Sequence, residues 1–234
     1  MRILLWDIDG TLIHSVKTGG YKEYTIPVLE EIFGTSGRLA EMRVSGMTDL
    51  QIVYEALRDA GISREQILAR ADVLVSRLTE EARRVTGNGV KFFEVLPGVR
   101  ETLQALADHP RYESALLTGN IKPMAYLKME LVGLEQFFTL PGAFGDESHN
   151  RRDLPERAAQ RIREHLQMDL APEQFIVIGD TPNDIDCGRH FGARTVALGT
   201  GRFYSTDEIL SHNPDKFLPD LRDVDLVLKT LADL

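Results

Sequence analysis

The stretch Ile3-Leu4-Leu5-Trp6-Asp7-Ile8-Asp9-Gly10-Thr11-Leu12 decides how the rest of the chain is read. An apolar run leads straight into two carboxylates, and a short run of that kind reads as a buried strand. Residues i and i+2 of a strand share a face. Asp7 and Asp9 are therefore expected to project together at the strand's carboxyl end, with Ile8 facing away and Gly10 letting the chain leave sharply. Two carboxylates so close repel, and burial makes it costly to ionise both. A cation or a shared proton would resolve that conflict, and both are catalytic tools. Asp-x-Asp ahead of glycine is also ordinary turn chemistry, so the pair gains meaning only from what the rest of the chain brings to it.

At 234 residues the chain can bury one large core, or a core plus a smaller domain. Charged residues make up 27% and the hydrophobic set 43%, the balance of ordinary globular material. A net charge of −9 argues against nucleic acid or an anionic membrane as partner, and means that an anionic substrate would need local cations. Cys187 is the only cysteine, which excludes an intrachain disulfide and a cysteine-based zinc site. The first apolar run stops at Asp7, too short for a signal peptide, and no stretch approaches a membrane span. A reducing, cytoplasmic setting is the expectation.

Outward from the first strand, residues 14–20 read as an exit loop with Gly19 and Gly20 as a hinge. Helical patterning follows to about Val85. Leu29, Ile32 and Phe33 share a face before Gly34, and Pro27 predicts a kink or a late start. Thr48 with Gln51 forms a capping pattern ahead of Ile52, Val53, Ala56 and Leu57, and Ser63 with Gln66 repeats it ahead of a third helix through Ile67, Leu74 and Leu78. Gly87-Asn88-Gly89 makes a second link. A helical bundle between two hinges would be a movable cap over the site begun by Asp7.

Beyond Pro97-Gly98 the rhythm changes. Strands are expected at 113–117, 137–140, 175–179 and 195–198, with helices after Pro97-Gly98 and at about 123–131, 155–166 and 223–231. Alternating strands and helices imply an α/β fold, a parallel sheet with helices on both faces. Ligands bind such sheets beyond the strands' carboxyl ends, and Asp7, Thr118 and Asp180 each sit at one.

Thr118-Gly119-Asn120 offers a hydroxyl, bare glycine backbone and an amide, suited to phosphate or simply to a capped turn. Asp180 and Asp184, four apart at the start of a helix, could complete an oxygen-rich Mg²⁺ site with Asp7, or merely cap that helix. Arg151 and Arg152 follow a polar loop and could balance the carboxylates or be solvated. The six histidines are scattered, which argues against a histidine metal site.

With those residues in view, the chain resembles the haloacid dehalogenase superfamily, in its capped, phosphoglycolate-phosphatase-like branch. Asp7-Ile8-Asp9-Gly10-Thr11-Leu12 matches the first motif, Leu117-Thr118-Gly119-Asn120 the second, and Gly179-Asp180-Thr181-Pro182-Asn183-Asp184 the fourth. The third motif departs: the family more often has Lys-Pro, and here register favours Arg151, with Arg152 second. The resemblance implies a Rossmann-like core of residues 1–14 and 91–234 and a helical cap of residues 15–90. It implies Asp7 as nucleophile, Asp9 as acid and base, and Mg²⁺ held by Asp7, the Asp9 carbonyl, Asp180 and Asp184. It also implies phosphate binding by Thr118, Gly119, Asn120 and Arg151, with the loop at Thr48 and Asp49 reading the leaving group.

The expected activity is Mg²⁺-dependent hydrolysis of a small phosphorylated metabolite, phosphoglycolate-like or a sugar phosphate, with neither nucleic acid nor membrane as partner. A phosphosugar mutase of the β-phosphoglucomutase type and a non-catalytic binding protein on the same fold are the alternatives. A true dehalogenase fits poorly, because Asp9 and the metal-site acids suit phosphoryl transfer.

Overall fold

Leu4 and Trp6 point to one side of the first strand and Ile3 and Leu5 to the other, and all four are fully buried. The strand therefore lies between two apolar layers, which is why it carries no polar residue between Arg2 and Asp7. In the computed structural model, which describes residues 1–16, 20–87 and 91–234, this is β1 (Arg2–Trp6).

In chain order there follow β2 (Ile13–Ser15), α1 (Gly20–Phe33), α2 (Asp49–Leu57), α3 (Arg64–Leu68), α4 (Ala71–Thr86), β3 (Phe93–Val95), α5 (Val99–Ala107) and β4 (Tyr112–Leu116). Then come α6 (Lys122–Val132), α7 (Leu154–Leu166), β5 (Phe175–Gly179), α8 (Pro182–Phe191), β6 (Arg194–Leu198), α9 (Thr206–Ser211), β7 (Lys216–Leu218) and α10 (Val224–Ala232).

The main sheet is parallel, ordered β4-β1-β5-β6-β7. Leu4 and Trp6 pack in one layer with residues of α5, α6 and α10, while Ile3 and Leu5 pack in the other with residues of α7 and α8. The chain reaches β4 on one side of β1 and β5 on the other, so β1 sits where the winding reverses. That position opens a crevice at the carboxyl ends of β4, β1 and β5.

Helices α1 to α4 lie between β1 and β4 in sequence, an α-helical region consistent with a C1-type cap. It enters and leaves beside a two-stranded antiparallel ribbon of β2 and β3, with Ile13 opposite Val95. No helix among the described residues is long and apolar enough to cross a membrane.

Several local expectations are corrected. Residues 137–140 form no strand. A 3₁₀ turn occupies Glu135–Phe137; the chain then runs past β4 with isolated backbone bonds, from the Leu140 N–H to Ser114 O at 3.4 Å and from the Ala143 N–H to Leu116 O at 3.0 Å, and a single bridge between Leu117 and Ala143. The helix expected from Ser63 to Gly87 is two, α3 and α4, broken at Ala69 and Arg70. Helix α1 starts at Gly20 and carries Pro27 inside it rather than beginning after that residue. The hinge residues Gly19, Asn88 and Gly89 lie outside the described residues. The short elements β2, β3, β7 and α9 carry too few residues to give a periodic signal.

Leu5 has no exposed surface and sits in β1, an inner strand flanked by β4 and β5. Leu5→Ala should cost about 2–5 kcal/mol, read as a lowered midpoint in urea unfolding.

Candidate active site

β1 ends at Trp6, and the next residue, Asp7, still donates its N–H to Ile178 O of β5 at 3.0 Å. The strand pairing thus fixes the backbone of this first carboxylate. The chain then turns through Gly10, which has a left-handed φ of 92°. A Cβ there would stand 2.3 Å from the Asp180 carboxylate, so only glycine lets the turn pack on Asp180. Thr11 Oγ1 donates to Asp180 Oδ1 at 3.0 Å. At the start of α8, the Asp184 carboxylate accepts from the Thr181 N–H at 3.0 Å and the Thr181 hydroxyl at 2.7 Å, which locks its rotamer.

Asp7, Asp180 and Asp184 are all buried, and one carboxylate oxygen from each lies within 4.8 Å of the others. Burial pushes Asp7 up to about 7; Arg151 opposes the shift, and the charges of Asp184 and Asp9 add to it. Burial, then Asp7 and Asp184, push Asp180 well above the ordinary carboxylate range.

Arg151 faces this cluster. Its Nη2 donates to Asp7 Oδ1 at 2.9 Å and also to Asp184 Oδ1, and its Nη1 donates to Gly46 O at 3.3 Å. One guanidinium does not balance three carboxylates. The remaining negative charge and the all-oxygen donor set fit a hard divalent cation such as Mg²⁺. Arg152 points elsewhere and forms an exposed two-bond pair with Asp186 at 2.6 and 2.9 Å.

The segment after β4 lies next to Asp9. Asn120 Nδ2 donates to Asp9 Oδ2 at 2.8 Å and to Thr118 Oγ1 at 2.7 Å. The Asn120 amide is thus engaged with Asp9 and Thr118. Lys128 of α6, which sequence reasoning missed, joins the same network. Its buried Nζ donates to Asp9 Oδ1 and Oδ2 at 2.8 and 2.6 Å and to Asn120 Oδ1 at 2.6 Å. The signal was available: Lys128 stands three and four residues after Ala125 and Met124, on the helix's buried stripe.

The loop at residues 43–49 rests on this site. Gly46 O accepts from Asn183 Nδ2 at 2.8 Å as well as from Arg151. The Asp49 N–H donates to Gly119 O at 2.7 Å, and Asp49 Oδ2 accepts from the Ile121 N–H at 2.8 Å. A Cβ at Gly119 would fall 2.1 Å from Met47 O, so this glycine is what lets the two backbones meet. Thr48 caps α2, its hydroxyl accepting from the Gln51 N–H. Burial pushes Asp49 up to about 7, with the Ile121 N–H and the Lys128 charge pulling the other way. Beside Arg151 an open cleft of about 300 Å³ is lined by Gln51, His149, Asn150, Arg152, Asn183 and Asp186.

A family model described as haloacid dehalogenase-like hydrolase matches residues 1–192. The chain is 23% identical over 226 residues to a protein of Oceanobacillus iheyensis named pyrophosphatase PpaX, covering 96% of this chain and 95% of that one. It is 24% identical over 231 residues to a phosphoglycolate phosphatase of Vibrio vulnificus, covering 94% and 92%. Among solved structures, a hydrolase from Pseudomonas syringae shares the fold with a TM-score of 0.70 at 22% identity, covering 100% of this chain and 99% of that one.

Two outcomes are expected from this geometry. Arg151→Ala strands two buried carboxylates and should cost about 3–5 kcal/mol, whereas Arg152→Ala should leave the unfolding midpoint where it is; paired denaturant melts compare them. For Asp49, a folded pKa of about 7 against an ordinary 3.8 means that the native state holds its proton longer than the unfolded state does. The associated stability is complete at low pH and is lost as pH rises towards about 7. Wild type should therefore lose ground to Asp49→Asn between about pH 5 and pH 7, measured by urea unfolding in EDTA; a constant gap between the two would contradict the shift.

Proposed function

The chain belongs to the haloacid dehalogenase-like hydrolase family, and we propose that it is a Mg²⁺-dependent phosphatase acting on a small phosphorylated metabolite through an aspartyl-phosphate. The observation that carries this reading is the buried Asp7, Asp180 and Asp184 cluster faced by Arg151 at the carboxyl end of a parallel sheet. The names of its relatives, pyrophosphatase and phosphoglycolate phosphatase, point to the same substrate class.

In this reading a carboxylate oxygen of Asp7 attacks the substrate phosphorus. The bond from phosphorus to the leaving oxygen breaks, and Asp9 gives that oxygen its proton. Water then attacks the aspartyl-phosphate, Asp9 takes the water's proton, and phosphate leaves with Asp7 restored. Arg151, Thr118 and the backbone at Gly119 bind phosphoryl oxygens, with Asn120 lining the same segment. Asp7, the Asp9 carbonyl, Asp180 and, directly or through water, Asp184 would hold Mg²⁺. When bound, the ion offsets negative charge on the phosphoryl group.

Residues 15–90 would form the cap, with 1–14 and 91–234 as core. The loop that carries Thr48 and Asp49 would read the leaving group, and the cleft beside Arg151 has room for a small polar molecule.

The test is phosphate release by the purified protein, with Mg²⁺ and with EDTA, across phosphoglycolate, pyrophosphate, hexose phosphates and nucleotides. Magnesium-dependent release that disappears in Asp7→Asn is expected. Release by the Asn variant at the wild-type rate would end the nucleophile assignment. Isomerisation of a hexose phosphate without net phosphate release would move the protein to the mutases.

A further inference from the structure

A lysine ammonium taken out of water is costly unless it is paired and hydrogen-bonded. Lys128 is 3% exposed, so its position requires an explanation. It has three donor hydrogens, and three acceptors stand within reach: Asp9 Oδ1, Asp9 Oδ2 and Asn120 Oδ1. The ring of Phe93 lies 5.4 Å from the ammonium and adds a favourable face. The Asp49 carboxylate, at the start of α2, also feels its charge.

The partner carboxylate is in a different situation. The Asp9 side chain is 45% exposed, so it is held from behind while its other side stays open. A carboxylate has about four lone-pair positions. Lys128 takes one on each oxygen, and Asn120 Nδ2 takes a second on Oδ2. Among the described residues this leaves one position, on Oδ1, free for a proton or a substrate atom. The carboxylate can neither rotate nor swap its oxygens without breaking these contacts.

We propose that Lys128 is a positioning residue for Asp9, fixing the carboxylate so that Oδ1 is the atom that exchanges a proton with the leaving-group oxygen. The proposal rests on the reading of Asp9 as acid and base given above. Lys128 itself transfers no proton. In the first step the Asp9 proton moves to the leaving oxygen as its bond to phosphorus breaks; in the second Asp9 takes a proton from the attacking water.

Misplacing an acid harms reactions in proportion to how much they need it. A poor leaving group requires protonation, whereas a good one departs without it. The experiment is therefore kcat/KM for wild type, Lys128→Met, Lys128→Arg and Asp9→Asn over aryl and alkyl phosphates of graded leaving-group basicity, with melting temperatures taken in parallel. Lys128→Met should lose about 100-fold or more on alkyl phosphates and much less on p-nitrophenyl phosphate. Asp9→Asn should follow the same slope, and Lys128→Arg should recover part of the loss.

An equal loss across the series for Lys128→Met, while Asp9→Asn keeps its slope, would overturn the positioning role and leave the function standing. A flat series for Asp9→Asn would overturn the acid and base reading, and the proposal with it. Lys128→Gln, which keeps a donor without the charge, carries the same comparison if Lys128→Met does not hold its fold.

Discussion

Three carboxylates held together out of water are the constraint on which the rest of this molecule turns. Asp7, Asp180 and Asp184 repel one another, and burial removes the solvent that would screen them. Such a cluster persists only where the backbone over-determines it. The N–H of Asp7 is tied to β5, Thr11 holds Asp180, Thr181 holds Asp184, and Arg151 spans Asp7 and Asp184. The Thr181 tie is local to the start of α8, while the others join segments far apart in the chain. The cluster is thus assembled by the tertiary fold, and its charge imbalance and oxygen donors are what would suit it to a divalent ion.

The parallel sheet supplies the geometry that no single segment could. With β1 between β4 and β5, three strand ends meet in one crevice. Each end contributes a short side chain whose direction the strand pairing has already set. Short side chains have few rotamers and lose little entropy when fixed. Acids and hydroxyls at strand ends are therefore a low-cost way to build a rigid site, and the glycine turn at Gly10 lets the first of them pack against Asp180.

This explains what was legible in the chain and what was not. These polar residues follow apolar strands directly, so Asp7, Thr118 and Asp180 could be assigned to strand ends from hydrophobic patterning alone. The sheet, the helices on both of its faces and the helical insertion were legible for the same reason, through long periodic runs. The cations lack so direct a signature: for Lys128 helical spacing shows only that it lies on a buried stripe, not what its ammonium reaches. Arg151 and Lys128 reach the site from a loop turn and a helix on long side chains, whose endpoints depend on packing rather than on local sequence. Arg151 and Arg152 are neighbours, yet one is buried among carboxylates and the other lies at the surface with Asp186. Residues 137–140 misled for the opposite reason. Phe138 and Leu140 are apolar because they pack in the core, and the stretch meets β4 through isolated backbone bonds and a bridge at Ala143 rather than as a paired strand.

The loop at residues 43–49 raises a question about where selectivity can reside. Thr48 spends its hydroxyl on capping α2, and Asp49 spends its carboxylate on the Ile121 N–H. Both side chains thus hold the loop in place. What the loop turns towards Gly119, Arg151 and Asn183 is backbone: Met47 O against Gly119, Gly46 O against Arg151 and Asn183. Carbonyl oxygens repel anions and accept hydrogen bonds, so, on the phosphatase reading proposed above, a leaving group beneath this loop would be favoured by hydroxyls or amides rather than by added negative charge. Selection by such a loop depends on where its backbone lies. Changes at Thr48 or Asp49 would then act on the substrate through the loop's position, by way of α2, and not by removing a direct contact.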